Sequence, residues 1–120
     1  MRPSMKYVIA IVKPFKLDEI VQALARVDVD GLTVTEAKGY GRDKGHSQFF
    51  RGAEYVSTFV PMLKLEIAVG SDELDKVTDA IFRAARTGHI GDGKIFVCDL
   101  EQAVRIRTGE TDALPPRRVA

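Results

Sequence analysis

Two similar stretches decide the fold of this 120-residue chain: Y-V-I-A-I-V at residues 7–12 and K-L-E-I-A-V at residues 64–69. Both are short runs rich in apolar and β-branched residues, a composition typical of strands. A helical pattern follows each of them, with apolar residues recurring three or four positions apart in residues 17–27 and again in residues 74–85. The chain is therefore predicted to contain two strand–helix units in succession.

Outward from these units, residues 32–38 and 94–99 predict two further strands, and residues 103–108 predict a short fifth one. The order β-α-β-β-α-β is typical of the α+β ferredoxin-like sandwich, in which both helices cover one face of an antiparallel sheet. Since residues 7–12 are hydrophobic at every position, the opposite face also needs a cover, which predicts an oligomer. We expect one domain over residues 1–112 and a flexible tail over residues 113–120.

Composition argues against several classes of function. The net charge of +1 is too small for nucleic-acid or membrane binding by bulk electrostatics, so neither partner is expected. No apolar run approaches the roughly 18 residues that span a bilayer, and the N-terminal segment lacks a signal-peptide cleavage site. A cytoplasmic protein without membrane insertion is therefore expected. Cys98, the single cysteine, follows an apolar run and is expected at a buried strand position.

Residues 39–58 interrupt the apolar pattern with four glycines and with the aromatic residues Phe49, Phe50 and Tyr55. A loop of about 20 residues in so compact a chain is uncommon, and such loops are usually functional or disordered. The tetrapeptide K-G-Y-G at residues 38–41 matches the start of an RNA-recognition signature. The residues after it are charged and it ends the second strand, so RNA binding is disfavoured.

The stretch R-T-G-H-I-G-D-G-K at residues 86–94 carries three glycines and ends on Lys94. Glycines let backbone N–H groups approach an anion, and the lysine adds a positive charge. The stretch is not a P-loop, because Ile95 stands where that motif needs Ser or Thr and because the order here is helix, loop, strand. Phosphate binding and a purely structural glycine turn are equally compatible with the spacing.

Arg105 and Arg107 lie two positions apart on the predicted fifth strand, so their side chains would point to one side as a fork for phosphate oxygens. In isolation, a solvated basic edge is the simpler interpretation. His46 and His89 have no neighbouring ligand residues in the sequence, so no metal site is expected. No spacing suggests a catalytic nucleophile, so the chain is not expected to be an enzyme.

Six blocks between residues 13 and 110 resemble motifs of the PII nitrogen-regulatory signal-transduction family. They are K-P-F-K-L-D-E at 13–19, G-L-T-V-T-E at 31–36, K-G-Y-G-R at 38–42, R-G-A-E-Y at 51–55, A-R-T-G-H-I-G-D-G-K-I-F-V at 85–97 and R-I-R-T-G-E at 105–110. The resemblance implies the ferredoxin-like fold assembled as a homotrimer. It also implies a non-catalytic regulator that binds ATP or ADP in the clefts between subunits, with Mg²⁺ accompanying ATP.

The resemblance also implies roles for individual residues. The nucleotide would be held by Thr33, Gly39, Arg42, Ile67, Thr87, Gly91, Asp92, Gly93, Lys94, Arg105 and Arg107. Residues 42–58 are similar to the family's T-loop, which docks on protein partners such as an ammonium channel and would recruit the chain to the membrane. The partner-binding residues would be Lys44, His46, Phe49, Phe50, Arg51, Glu54 and Tyr55, and Tyr55 occupies the position of the uridylylated tyrosine.

Two positions depart from the family's 2-oxoglutarate site, which uses a glutamine and a lysine where this chain has Asp43 and Met62. Asp43 adds negative charge beside a dicarboxylate and Met62 removes the cation that pairs with it, so weak or absent 2-oxoglutarate binding is predicted. A sensor of the ADP/ATP balance, or of another small anion such as bicarbonate, is an alternative. A small phosphatase or ATPase on the same fold is a third hypothesis.

Overall fold

The computed structural model describes residues 4–29, 31–40 and 59–112, together with the backbone of residues 47–50 and 53–56. Within these residues, helices and strands follow one another in a simple order. They are β1 (Met5–Val12), α1 (Leu17–Arg26), β2 (Thr33–Tyr40), β3 (Ser47–Phe50), β4 (Ala53–Val56), β5 (Phe59–Gly70), α2 (Leu74–Ala85) and β6 (Gly93–Leu100). A short 3-10 turn leads into each helix, Pro14–Lys16 before α1 and Ser71–Glu73 before α2.

Four of the strands form one antiparallel sheet in the order β2-β5-β1-β6. Strand β5 lies between β1 and β2, and β1 lies between β5 and β6, so each strand–helix–strand unit is split by the first strand of the other unit. This is the ferredoxin-like topology. The α+β fold predicted from the two repeated stretches is therefore confirmed.

The core lies between the sheet and the two helices. The centre of each helix's apolar stripe is fully buried, Ile20 and Leu24 on α1 and Val77 and Ile81 on α2. Alternate residues of the two central strands meet them, because side chains on a strand point to opposite faces in turn. The buried strand residues of this cluster are Val8, Ala10, Val12, Leu65, Ile67 and Val69.

The opposite face of the sheet, here called the open face, carries the other alternate residues. Ile9 is paired with Glu66 and Phe96, so these three side chains share that face. Phe96 is 47% exposed there, because both helices pack on the other side of the sheet. The expectation that another copy of the chain covers this face stays a prediction.

Several sequence predictions need correction. Residues 103–108 do not form a fifth strand, since only Val104 bridges to Thr111 and a turn lies between them. The interrupted stretch contains a two-stranded ladder, β3 with β4, rather than irregular loop throughout. Cys98 lies on a strand as predicted, but it is exposed, because it is two residues from Phe96 and so shares the open face of the sheet.

Within the described residues, no helix combines the length and the apolar character that a membrane crossing requires. The predicted flexible tail at residues 113–120 lies outside the described residues.

Candidate functional site

A recess of about 410 Å³ opens where α2 ends and β6 begins. Its walls include Ile11 of β1, Phe82 and Arg86 at the end of α2, and Gly93 and Lys94 at the start of β6. The segment that leads from the helix into the first two residues of the strand, residues 87–94, is here called the glycine turn. It contains most of the stretch that the sequence singled out for phosphate binding.

Glycine is required in this segment by the backbone itself. Gly88, Gly91 and Gly93 all have positive φ, at 85°, 90° and 102°, a region that other residues seldom adopt. At Gly93 space is a second constraint, because a Cβ would lie 1.7 Å from the carbonyl oxygen of Ile11. Gly93 is paired with Val12 at the end of β1, so the missing side chain lets β6 join the sheet.

One carboxylate organises the glycine turn. Asp92 Oδ2 accepts hydrogen bonds from the backbone N–H groups of Thr87, at 2.8 Å, and Gly88, at 2.9 Å. Asp92 Oδ1 accepts the Thr87 hydroxyl at 2.5 Å and lies 3.1 Å from the Lys13 Nζ. The Thr87 hydroxyl in turn accepts the backbone N–H of His89 at 3.1 Å. Asp92 thus ties the end of α2 to the start of β6.

The charge of Asp92 is stabilised by the same contacts. The hydrogen bond from the Thr87 hydroxyl, followed by the two backbone N–H groups and Lys13, holds the pKa of the Asp92 carboxyl far below its ordinary value of 3.8. Asp92 is therefore an anion at all physiological pH values, and Lys13 offsets its charge. The positive charges left at the recess belong to Lys94 and to Arg86, whose guanidinium lies 5.3 Å from the centre of the Phe82 ring.

The two arginines predicted to form a phosphate fork lie on a turn and not on a strand. The Arg105 N–H donates to the Glu110 carbonyl at 2.8 Å, and the Gly109 N–H donates to the Arg105 carbonyl at 2.7 Å. Residues 106–108 are the turn between them. The expectation that Arg105 and Arg107 share one side of an extended segment is therefore wrong, because it depended on strand alternation.

The other residues predicted to contact a nucleotide lie elsewhere. Thr33 and Gly39 are on β2, at the opposite edge of the sheet from β6. With strands about 4.8 Å apart, three spacings separate the two edges by about 14 Å. Ile67 is a core residue, 3% exposed, so its side chain packs inside the domain. One subunit therefore does not bring the predicted set together, and Arg42 lies outside the described residues.

A second recess, of about 780 Å³, lies near the end of β2 and the start of β5. It is largely apolar, with Pro14, Phe59, Pro61 and Met62 among its walls and the charged residues Glu36 and Lys38 at its margin. Met62 is 2% exposed, so its thioether is buried and supplies no cation to this recess. Asp43, the other altered effector position, lies outside the described residues.

The residues predicted to bind a partner fall in and around the two-stranded ladder. Phe49 is paired with Glu54, Phe50 with Ala53, and Gln48 with Tyr55. Lys44, His46 and Arg51 lie outside the described residues. Across the part of the chain that the structure does describe, no cluster of three or more His, Cys, Asp or Glu residues could hold a metal ion.

Two basic residues, Arg86 in the wall of the first recess and Lys13 behind it, were not among the predicted site residues. Lys13 contacts both Asp92 and Thr87, and its side chain is only 20% exposed. Its position was the signal in the sequence that could have identified it, because Lys13 directly follows a hydrophobic strand and precedes Pro14. A lysine held at the end of a strand lies beside the neighbouring loops. Arg86 directly precedes the glycine turn, so a basic residue next to a predicted anion site could have been included.

The fold and the first recess define a small ferredoxin-like α+β protein with Arg86 and Lys94 beside its glycine turn and with a long segment between β2 and β5. Residues 5–110 match the family model for nitrogen regulatory protein P-II. The chain is 60% identical to the nitrogen regulatory protein P-II of Rhizobium etli over 109 residues, 91% of this chain and 97% of that protein. It is 54% identical to the nitrogen regulatory protein GlnK of Escherichia coli K12 over 108 residues, 90% and 96% of the two chains.

A solved structure is similar throughout as well. The crystal structure of Arabidopsis thaliana PII bound to citrate superposes with a TM-score of 0.74 at 37% identity, covering 91% of this chain and 89% of that one. The chain therefore belongs to the nitrogen regulatory protein P-II family. It is a nitrogen regulatory signal protein and not an enzyme. Proteins of this family bind small-molecule effectors, form trimers and act through protein partners.

Proposed function

We propose that this chain senses adenine nucleotides: it binds ATP or ADP between the subunits of a homotrimer and reports the bound nucleotide to a partner protein through residues 42–58. The observation that carries the proposal is the glycine turn with Lys94, because it joins positive-φ backbone to a basic side chain at the mouth of a recess. Backbone N–H groups and a lysine are a recurrent combination for phosphate oxygens. Mg²⁺ would accompany ATP through its phosphate oxygens.

The division of the predicted ligands between two sheet edges supports a site between subunits. The glycine turn and Lys94 are at the β6 edge, whereas Thr33 and Gly39 are at the β2 edge. A second copy that brings its β2 edge to the β6 edge of the first would complete the set. The partly exposed apolar residues of the open face, such as Ile9 and Phe96, are a surface that such copies could cover.

The test combines calorimetric titration of ATP, ADP and Mg-ATP with sedimentation analysis of the same sample. We expect a trimer that binds adenylates, and we expect Lys94→Ala to weaken both ATP and ADP at least about tenfold, the loss of one charge-assisted contact. Lys76→Ala is the matched control, because Lys76 lies on α2 in an ion pair with Glu73. A monomer that does not bind adenylates at millimolar concentration would refute the proposal.

For the second effector, we propose that 2-oxoglutarate binds weakly or not at all. Met62 is buried in an apolar recess where it can offer a dicarboxylate no positive charge. The double change Asp43→Gln with Met62→Lys is expected to create or strengthen 2-oxoglutarate binding in the presence of Mg-ATP. If calorimetry finds the double variant as inert as the wild type, this explanation is wrong, and bicarbonate is the alternative anion to titrate.

The partner would be a transporter, such as an ammonium channel, or an enzyme of nitrogen or carbon metabolism, and it would contact the β3–β4 ladder. Ligands can shift this loop only through different affinities for its conformations. Tyr55 lies on β4 and is the candidate for modification. Cross-linking from a photoreactive residue at Phe49, with and without ADP, would identify the partner and test whether the nucleotide controls its docking.

A further inference from the structure

Asp92 is an unusual neighbour for a phosphate site, because a carboxylate repels the ligand unless its charge is offset. Each of its oxygens already has two contacts, the two backbone N–H groups at Oδ2 and Thr87 with Lys13 at Oδ1. A carboxylate has about four lone-pair sites, so these contacts use its acceptor capacity. Asp92 is thus committed to the protein and is poorly suited to contact a ligand directly.

Lys13 is equally committed. Its Nζ lies 3.1 Å from Asp92 Oδ1 and donates to the Thr87 hydroxyl at 3.3 Å. The stem of the side chain passes beneath the glycine turn, where a Cβ on Gly91 would lie 3.9 Å from the Lys13 Cε. The Lys13 carbonyl also accepts the Lys16 N–H at 3.1 Å, which fixes the start of the 3-10 turn.

We propose that Lys13, Thr87 and Asp92 form a positioning unit, which holds the glycine turn in the conformation that receives phosphate without themselves contacting the nucleotide. Asp92 fixes the backbone of Thr87 and Gly88 and so the path of the turn toward Lys94. Lys13 offsets the carboxylate charge, which would otherwise oppose an incoming anion. The proposal rests on the proposed nucleotide binding, but it assigns to these three residues a role different from that of a ligand contact.

The unit predicts a particular pattern of losses. Asp92→Asn can retain one backbone-accepting oxygen, but its NH₂ group would meet the Lys13 ammonium and break the ion pair. Lys13→Met keeps the stem under the turn and removes only the charge. Each single change is expected to weaken ADP and ATP binding about tenfold. The Lys13→Met, Asp92→Asn double variant is expected to bind ADP and ATP as tightly as the weaker-binding single variant does. The losses of affinity are not additive when residues act as a unit.

Thr87 offers a milder and matched pair of substitutions. Thr87→Ser keeps the hydroxyl that joins Asp92, Lys13 and the His89 N–H, whereas Thr87→Val keeps the shape and removes the hydroxyl. We expect affinity within about twofold of wild type for Thr87→Ser and a loss of about tenfold for Thr87→Val. This rescue by the conservative variant separates hydrogen bonding from packing.

The experiment is calorimetric titration of ADP and ATP into the full chain and each variant, with circular dichroism and sedimentation to verify the fold and assembly. Lys16→Met is the charge-matched control, because Lys16 lies three residues away and pairs with Glu19 instead; it should bind within about twofold of wild type. If Lys94→Ala loses affinity while Lys13→Met, Asp92→Asn and Thr87→Val do not, the positioning unit is refuted and nucleotide binding stands.

Two further outcomes are also decisive. Additive losses in the Lys13→Met, Asp92→Asn double variant would show independent contacts with the ligand and would overturn the positioning role. A wild-type chain that binds neither ADP nor ATP would refute the proposed function and this inference with it. If Asp92→Asn fails to fold, the comparison of Thr87→Ser with Thr87→Val still decides the question.

Discussion

The glycine turn, which leads into β6, and the turn at residues 103–112 after β6 carry two basic motifs, but they are held in different ways. In the glycine turn, the Asp92 side chain gathers backbone N–H groups, a hydroxyl and a lysine. In the later turn, the Arg105 and Gly109 N–H groups donate to backbone carbonyls. The first turn is fastened to β1 through Lys13, whereas the second is closed mainly on itself.

This difference bears on what each turn can contribute to a binding site. The glycine turn is fixed within its own subunit, so its N–H groups and Lys94 keep a defined position before any ligand arrives. The later turn extends from the domain, and its tip residue Ile106 is 99% exposed. That turn is therefore accessible to a neighbouring copy or a ligand. Pre-organisation of the first turn lowers the entropic cost of binding.

The largest expected effect is on folding stability, when one glycine of each turn is replaced by alanine. Gly93→Ala should destabilise the protein by at least about 3 kcal/mol, because the new Cβ would meet the backbone of Ile11 at a positive φ. Gly109→Ala should cost only about 1–2 kcal/mol, since its φ is 76° but nothing lies within 4 Å of the added Cβ. Urea unfolding of both variants measures the difference.

Equal costs for the two glycine variants would contradict this comparison. They would show that β6 can shift away from β1 at its first residue without loss, and that the close approach at Gly93 is not a constraint on the fold. The slope of the urea transition should stay that of the wild type, so that the change is one of stability and not of the unfolded state.

The next effect tests whether the later turn contributes to the site despite its looser attachment. Arg105→Ala and Arg107→Ala should each weaken ADP and ATP binding about tenfold, with the assembly intact, because each removes a charge-assisted contact with phosphate. Arg83→Ala is the control, since Arg83 lies on α2 and pairs with Asp79. Unchanged affinity in both arginine variants, by calorimetry, would leave phosphate binding to the glycine turn alone.

The comparison also explains which parts were predictable from sequence. The fold class and much of the core followed from the two repeated strand–helix patterns, because Val8 and Val12 lie on one face of a strand and Ile20 and Leu24 on one face of a helix. The glycine turn was found because its glycines and Lys94 are adjacent in sequence. The role of Lys13 was missed, because its contact with Asp92 joins residues far apart in the chain.

Other predictions failed because local patterns are ambiguous. Val104 and Ile106 alternate with arginines as a strand would, but Gly109 at positive φ turns the chain back before a strand can form. Cys98 follows the apolar Val97 and was expected to be buried, but a short apolar run does not reveal that Cys98 lies on the open face with Phe96. Whether another copy of the chain covers such a residue depends on assembly. The hydrophobic pattern of one chain predicts only that a covering partner exists.

The smallest expected effect is a loss of folding stability at low pH, which depends on Asp92 in the glycine turn. The folded Asp92 carboxyl binds a proton less readily than the unfolded one, since its pKa lies below the ordinary 3.8, so protonation favours the unfolded chain. The stability that Asp92 supplies, about 1 kcal/mol over Asp92→Asn, should be complete above that value and decline as the pH falls below it. Other carboxylates titrate in both proteins and cancel in the difference. Urea unfolding of both proteins from pH 7 to about pH 3 measures this difference in the free energy of unfolding. If the wild type keeps its full extra stability below the ordinary carboxyl pKa, Asp92 does not hold the turn through its charge.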